Sequence, residues 1–335
     1  MGNKKGSFIK QAGILAAAGI ISRIIGILYR SPLTSVIGDE GNGYYQSAYS
    51  IYTIVLLLCS YSIPSALSKI IAEKLAKKEY RNVQKIFRCA LLYVFVVGGI
   101  ASIFLLFGAG LFLEGQAAVV LKAFAPTVFI SGFVGVLRGY FQAHGSMLQT
   151  SISQIIEQLL NAVVSILAAY LLIRATGSTD STDKAISGAV GSTIGTGSGV
   201  LIAFIFMLCA YMLNRGYIKK RTARDQSGKV DSYRQIFGML LSMVTPIIIS
   251  TFIYNFNVSF NLVVYTKTMV HFKGFTSAQA ATQYGIFSGK SLVILNIPIA
   301  IAVAMSSAMI PAIASSRAIG DERATNRRIE NAMFV

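Results

Sequence analysis

Residues 89–110 read CALLYVFVVGGIASIFLLFGAG, without one charged side chain. At 1.5 Å per residue, a helix of that length crosses the ~30 Å hydrocarbon core of a bilayer. The stretch lacks the strict period-two alternation of a barrel strand and is about twice as long as one, so it reads as a transmembrane helix. Outward from it, seven further apolar runs share this character, which places spans at 10–30, 46–68, 87–110, 117–141, 152–173, 187–213, 236–265 and 284–313. The whole chain agrees: 54% of its 335 residues are hydrophobic and 13% charged, and the mean hydropathy is +0.63. The expected fold is an all-α integral membrane protein of about eight transmembrane helices.

A net charge of +17 would suggest a nucleic-acid partner if the basic residues lay on a globular face. They lie instead in blocks between the spans, so membrane lipid is the expected partner and nucleic acid is not. With the N-terminus inside, twenty-two of the thirty Lys and Arg fall in inner segments and six in outer ones, and Arg23 and Lys290 remain within the membrane. Basic residues are retained on the cytoplasmic side, so the N-terminus is expected there. The segment 69–88, rich in Lys and Arg with Leu75, Val83, Ile86 and Phe87 interspersed, reads as an amphipathic helix drawn to anionic lipid. The first span has basic residues before it, as a signal peptide would, but Arg23 interrupts it and it is expected to be retained.

Polar residues within the spans fall on helical stripes. Gly19, Ser22, Arg23, Gly26 and Arg30 share one face of span one; Gln154, Glu157, Gln158, Asn161 and Ser165 repeat the same offsets in span five. Span seven carries Thr251, Asn255, Asn257 and Asn261, and span eight carries Lys290. A charge near the bilayer centre costs about 2.5–3.5 kcal/mol on insertion scales, so each one asks for a partner, a wet cavity or a function. One reading makes Arg23, Arg30 and Lys290 a cationic receptor for an anionic headgroup, because a guanidinium fork donates paired hydrogen bonds to phosphate. The stripes then line a central cavity. The other reading is interhelical glue, with Glu157 paired to Arg138 and the amides bonding across helices.

Other features carry less chemistry. The six prolines, Pro32, Pro64, Pro126, Pro246, Pro298 and Pro311, sit in or beside spans. They fit either broken transport helices or the ordinary frequency of Pro in membranes. Gly191, Gly195 and Gly199, spaced by four, read as close helix packing rather than a phosphate loop. Cys59, Cys89 and Cys209 lie in three separate runs, and His144 and His271 in two loops. Neither set has metal-ligand or triad spacing, so no metal and no cofactor is expected. Asp39 and Glu40 sit in a Gly-rich stretch that reads as a solvated turn.

The segments FIKQAGILAAAGIISRIIGILYRSPL (8–33), GDEGNGYYQSAYSIY (38–52), IPSALSKIIAEK (63–74), LRGYFQAHGSMLQTSISQIIEQ (137–158) and NIPIAIAVAMSSAMIPAIASS (296–316) together resemble the polysaccharide biosynthesis and stage V sporulation protein B group. That group is similar to the MurJ lipid II flippases, within the superfamily that also holds multidrug extruders. The resemblance implies a fourteen-helix fold of two six-helix lobes and an accessory pair around a central cavity. Residues 1–213 would be the N-terminal lobe, 214–235 a basic cytoplasmic linker and 236–335 the start of the C-terminal lobe. The basic segment 316–328 followed by IENAMFV reads as the lead-in to a ninth helix, so a longer parent chain is expected.

The implied function is transfer of an undecaprenyl-diphosphate-linked cell-wall precursor, an anionic lipid-linked glycan, from inner to outer leaflet of the bacterial cytoplasmic membrane by alternating access. Cell-wall synthesis enzymes are the implied protein partners. Ser22, Arg23 and Gly26 match the family's Ser-Arg-x-x-Gly signature, and Glu157 its IEQ segment. Arg30 stands one residue further along than its counterpart, which turns it about 100° on the helix. Lys290 precedes Pro298 in the region where that branch carries a basic residue. The rivals are a cation-coupled multidrug exporter on the same fold, which favours cavity carboxylates and aromatics, and a membrane glycosyl or phosphosugar transferase, which the shortage of intramembrane acid–base pairs disfavours.

Overall fold

A computed structural model describes residues 2–57, 60, 62–223, 225, 230–292, 294, 295, 322, 323, 326 and 330. Among them every regular element is helical: α1 (Gly2–Leu28), α2 (Arg30–Leu56), α3 (Ser62–Ala76), α4 (Tyr80–Phe112), α5 (Gln116–Ala143), α6 (Met147–Thr176), α7 (Ser181–Ala223), α8 (Tyr233–His271) and α9 (Ser277–Ile286), followed by a π turn at Phe287–Ser291. Positions 296–313 of the eighth expected span, with Pro298 and Pro311, lie outside the described residues, as do Cys59 and the expected lead-in at 331–335.

Helices α4, α5, α6, α7 as far as Ile218 and α8 over Tyr233–Ser250 are long and apolar enough to cross a bilayer; Ala17–Leu28 and α2 qualify together, across a 41° bend. This gives a multi-pass membrane protein with six such units among the described residues, against the eight runs read from the sequence. The difference lies in the first two and the last. Span one and α2 form one bent pair, and only the ten-residue α9 and its π turn represent the last. Large apolar side chains lie on the outward faces: Phe107 on α4 is 86% exposed and Leu213 on α7 is 87%, as lipid contact requires.

The segment 31–45, expected as an outer loop, is helical. Gly38 adopts φ 72°, ψ 171°, which bends α2, and residues Gly41 to Ala48 beyond the bend are all buried. Asp39 and Glu40 therefore do not sit in a solvated turn; Tyr44 Oη donates to Glu40 Oε1 at 3.0 Å. Gly and Asn signal turns in water, but between packed helices the same small residues admit close backbone approach.

The α6–α7 pair is the tightest in the bundle. A β-carbon at Gly191 would stand 2.5 Å from the Ala169 backbone, one at Gly199 2.5 Å from the Glu157 carbonyl oxygen, and one at Gly195 would overlap Ser165. The four-residue glycine spacing is thus a packing seam. Two large buried clusters hold the helices together. One joins Tyr44, Tyr45, Tyr52, Leu121 and Phe124, and the other joins Leu67, Ile71, Ile86, Phe87, Met207 and Ile236.

At the basic end, the expected amphipathic helix over 69–88 is two helices, broken where Lys78 takes φ 59°. The turn clamps the connection between α7 and α8. Lys74 Nζ lies 2.8 Å from Glu79 Oε2 and 2.5 Å from Asp231 Oδ2. Fully buried Asn82 donates to Glu79 Oε2 at 2.9 Å and accepts from the Asp231 N–H at 2.9 Å. Lys85 Nζ donates to the Asp231 carbonyl at 2.6 Å and sits 4.2 Å over the Tyr233 ring. The hydrogen bond from Lys74 holds the Glu79 carboxyl below its ordinary pKa, against its own desolvation. Burial works against the charge on Lys74, but its bonds to Asp231 and Glu79 outweigh this and raise its pKa. The segment expected as a linker over 214–235 is helical to Ala223 and again from Tyr233, where Ser232 and Gln235 form a capping box.

Candidate functional site: a polar cavity inside the helical bundle

The polar stripe of α6 faces inward. Helix α5 presents Arg138 and α6 presents Glu157, and Arg138 Nη2 donates to Glu157 Oε2 at 2.6 Å while its Nε donates to Ser153 Oγ at 2.9 Å. The side chains of Arg138 and Glu157 are 15% and 29% exposed. Both line one cavity of about 160 Å³ with Tyr49 and Tyr52 of α2, Asn161 of α6 and Thr196 of α7. Glu157 thus pairs with Arg138 and lines a partly open space of mixed polar and apolar character at once, so the two sequence readings of this residue meet in one place.

One turn further along α6 the network continues. Asn161 Oδ1 accepts from Ser165 Oγ at 2.9 Å and from Thr196 Oγ1 at 3.2 Å, and the Thr196 and Tyr45 hydroxyls are 3.2 Å apart. Three helices are joined in this way through hydroxyls and one amide. The cavity holds a fixed anion–cation pair with neutral donors and acceptors around it, a setting for water and for a solute no larger than the space allows.

The arginine stripe of α1 does not enter this cavity. Helix α1 packs on α6, where Gly26 faces Gln158. Arg23 is exposed and, among the described residues, makes no hydrogen bond or ion pair. Arg30 is half-buried at the bend and within electrostatic range of buried Tyr45 and Tyr49. Asn261 is exposed on α8. The side chains of Asn255, Asn257 and Lys290 lie outside the described residues. The structure brings together Arg138 and Glu157 of the expected site; Arg23, Arg30 and Asn261 stand elsewhere. Tyr49, Tyr52 and Thr196 were missed, the tyrosines because they fall in the run 46–68, which read only as a span, and Thr196 because its run read as packing alone. The spacing Tyr45–Tyr49–Tyr52, one helical face, is the signal that was available.

The family model described as polysaccharide biosynthesis protein matches residues 8–317. The chain belongs to this family. Among similar members is stage V sporulation protein B of Bacillus subtilis (strain 168), 28% identical over 335 residues, which cover 98% of this chain and 62% of that protein. Lipid II flippase MurJ of the same organism is 24% identical over 353 residues, covering 96% of this chain and 60% of that protein. The chain therefore spans about three-fifths of the length of these curated relatives. Its fold is shared with a MOP superfamily transporter from Pyrococcus furiosus Vc1 (TM-score 0.65, 17% identity, 97% of this chain and 68% of that one). A MATE structure in complex with MaD3S is equally alike (TM-score 0.65, 14% identity, 98% and 69%).

Proposed function

We propose that this polysaccharide-biosynthesis family protein is part of a membrane flippase that moves an undecaprenyl-diphosphate-linked cell-wall precursor between leaflets by alternating access, with 1–213 as its first lobe. It is a transporter and not an enzyme on this reading, and it resides in the bacterial cytoplasmic membrane with its N-terminus inside. The observation that carries the proposal is the family match over 8–317, in a group whose relatives include a lipid II flippase. Support comes from Arg23. An unpartnered guanidinium in a membrane helix is costly unless it meets water or an anion, and a lipid diphosphate supplies the anion.

The multidrug-exporter reading draws on the fold shared with MATE structures and on the aromatic and carboxylate lining of the internal cavity. That carboxylate, Glu157, is already neutralised by Arg138 at 2.6 Å, so it offers little to a cationic drug. The deciding experiment compares the full-length protein with its Arg23→Ala variant in detergent. Undecaprenyl-linked peptidoglycan precursor should bind the wild type and bind the variant about tenfold or more weakly, since a charged hydrogen bond contributes about 1.5–3 kcal/mol. Binding of a cationic drug without binding of the precursor would overturn the proposal in favour of the exporter.

A further inference from the structure

Two arginines on neighbouring helices mark where the uncharged stretches end. Arg88 of α4 directly precedes the uncharged residues 89–113, and Arg215 of α7 directly follows the uncharged residues 185–214. Both are exposed, and neither side chain has a hydrogen bond or ion pair among the described residues. They converge on one hydroxyl, since both guanidinium groups act electrostatically on Tyr211, one turn before Arg215 on α7. The Tyr211 ring is itself held, stacked on buried Phe87 at 5.0 Å and edge-on to Tyr140 at 5.6 Å. The polar spot is therefore seated on fixed rings.

An apolar groove runs from this spot into the bilayer. Counting from Arg88, Leu92, Phe95 and Gly99 stand four, seven and eleven positions on along α4; counting back from Arg215, Tyr211, Leu208 and Phe204 stand at the same offsets on α7. Each set is one helical face. A row of rings joins the two faces across α5: Phe95 to Phe129 at 5.8 Å, Phe129 to Phe133 at 5.1 Å and Phe133 to Phe204 at 6.0 Å. All four rings keep some exposure, so α5 forms a floor open to lipid. Eleven residues of helix are about 16 Å, close to half of the roughly 30 Å hydrocarbon core. We infer that this face holds an anionic phospholipid of the leaflet at the basic end, with its phosphodiester on Arg88, Arg215 and the Tyr211 hydroxyl and an acyl chain along the rings. A guanidinium fork donates paired hydrogen bonds to phosphate oxygens, and basic pockets between transmembrane helices recognise acidic headgroups. A zwitterionic headgroup brings its own cation against both arginines. None of these residues lines the cavity around Arg138 and Glu157, so the site is separate from it.

The test titrates lipid into the full-length protein in detergent and counts bound molecules by native mass spectrometry. Dioleoylphosphatidylglycerol is the probe and dioleoylphosphatidylcholine its zwitterionic control. Wild type should hold the anionic lipid about fivefold or more tightly than the control. Arg88→Gln and Arg215→Gln should each weaken the anionic lipid about fivefold, and the two together about 25-fold, with the control unchanged. Both side chains are exposed and unpaired among the described residues, so the substitutions remove no packing. Lys220→Gln takes one exposed charge from the tip of α7 beyond the groove and should change nothing. Equal binding of the two lipids by wild type, undiminished binding by the double variant, or an equal loss in Lys220→Gln overturns the site. So does displacement of phosphatidylglycerol by an equimolar amount of undecaprenyl-linked peptidoglycan precursor, which would make the occupant the substrate. The inference does not rest on the transporter reading, whose own test is Arg23→Ala above.

Discussion

Arg138 and Glu157 are nineteen residues apart in sequence and share one hydrogen bond of 2.6 Å inside the bundle. Neither charge is stable there alone. Removing one partner of a fully buried pair costs about 3–5 kcal/mol, because the survivor stays desolvated, and less where, as here, the side chains are 15% and 29% exposed; replacing both with apolar residues of similar volume is often neutral. Arg138→Ala should therefore lower the melting temperature of the detergent-solubilised protein markedly, and Arg138→Met combined with Glu157→Leu should restore most of the loss. A double variant as unstable as the single one would show that the pair has further obligations in the network through Ser153. This pairing was legible from the sequence, since two opposite charges in adjacent spans have few other partners. The convergence of Tyr49, Tyr52 and Thr196 on the same space was not, because it depends on how α2 and α7 rotate against α6, and no single span encodes that.

Helices differ in how much of them a hydropathy reading captures. The apolar stretch of α4 announces itself, and so does the seam of α7, where glycines every four residues have only one economical explanation. The start of α2 does not, since Asp39 and Asn42, beyond the bend at Gly38, are turn formers whose helical state comes from neighbours on both sides. The break at Lys77–Glu79 was equally hidden, because Lys78 at φ 59° is a conformation rather than a composition. That turn also gives the pH prediction. The Glu79 carboxyl has a depressed pKa in the folded protein, so its contribution is complete above the ordinary glutamate range and is lost as pH falls through the depressed value. The chain has no tryptophan, and Tyr233→Trp places a single fluorophore against Lys85. Its emission should be constant from neutral pH to the ordinary carboxylate range and shift to the red below it. In an Asn82→Ala background the shift should begin at higher pH. Emission that is flat through this range would mean that the α8 terminus is held by its apolar contacts alone.

For the molecule as a whole, the distribution of basic residues makes a prediction about sidedness that the helices sharpen. The α3–α4 turn and the α7–α8 connection share one end, and the α4–α5, α6–α7 and α8–α9 turns share the other. In right-side-out vesicles, an impermeant maleimide should label Ser178→Cys in the α6–α7 turn and leave Lys77→Cys unlabelled, and inside-out vesicles should reverse the pattern. Labelling of Lys77→Cys from outside would invert the assignment. The general architecture was open to inference from the spacing of apolar runs and of Lys and Arg. Which surfaces of those runs meet was not.

The length of α7 has a mechanical consequence. At 43 residues it extends about 65 Å, roughly twice the hydrocarbon thickness it has to cross. Its apolar part is anchored along α6 by the glycine seam, and its Arg- and Lys-bearing tip runs on past Ile218, where the stretch apolar enough to cross a bilayer ends. Such a beam magnifies angle into distance: from Gly199, the last glycine of the seam, to Ala223 is about 36 Å, so a tilt of about 20°, ordinary for membrane helices, sweeps the tip sideways by about 12 Å. Small rotations deep in the bilayer become large displacements of positive charge along the lipid surface, where anionic headgroups resist or assist them.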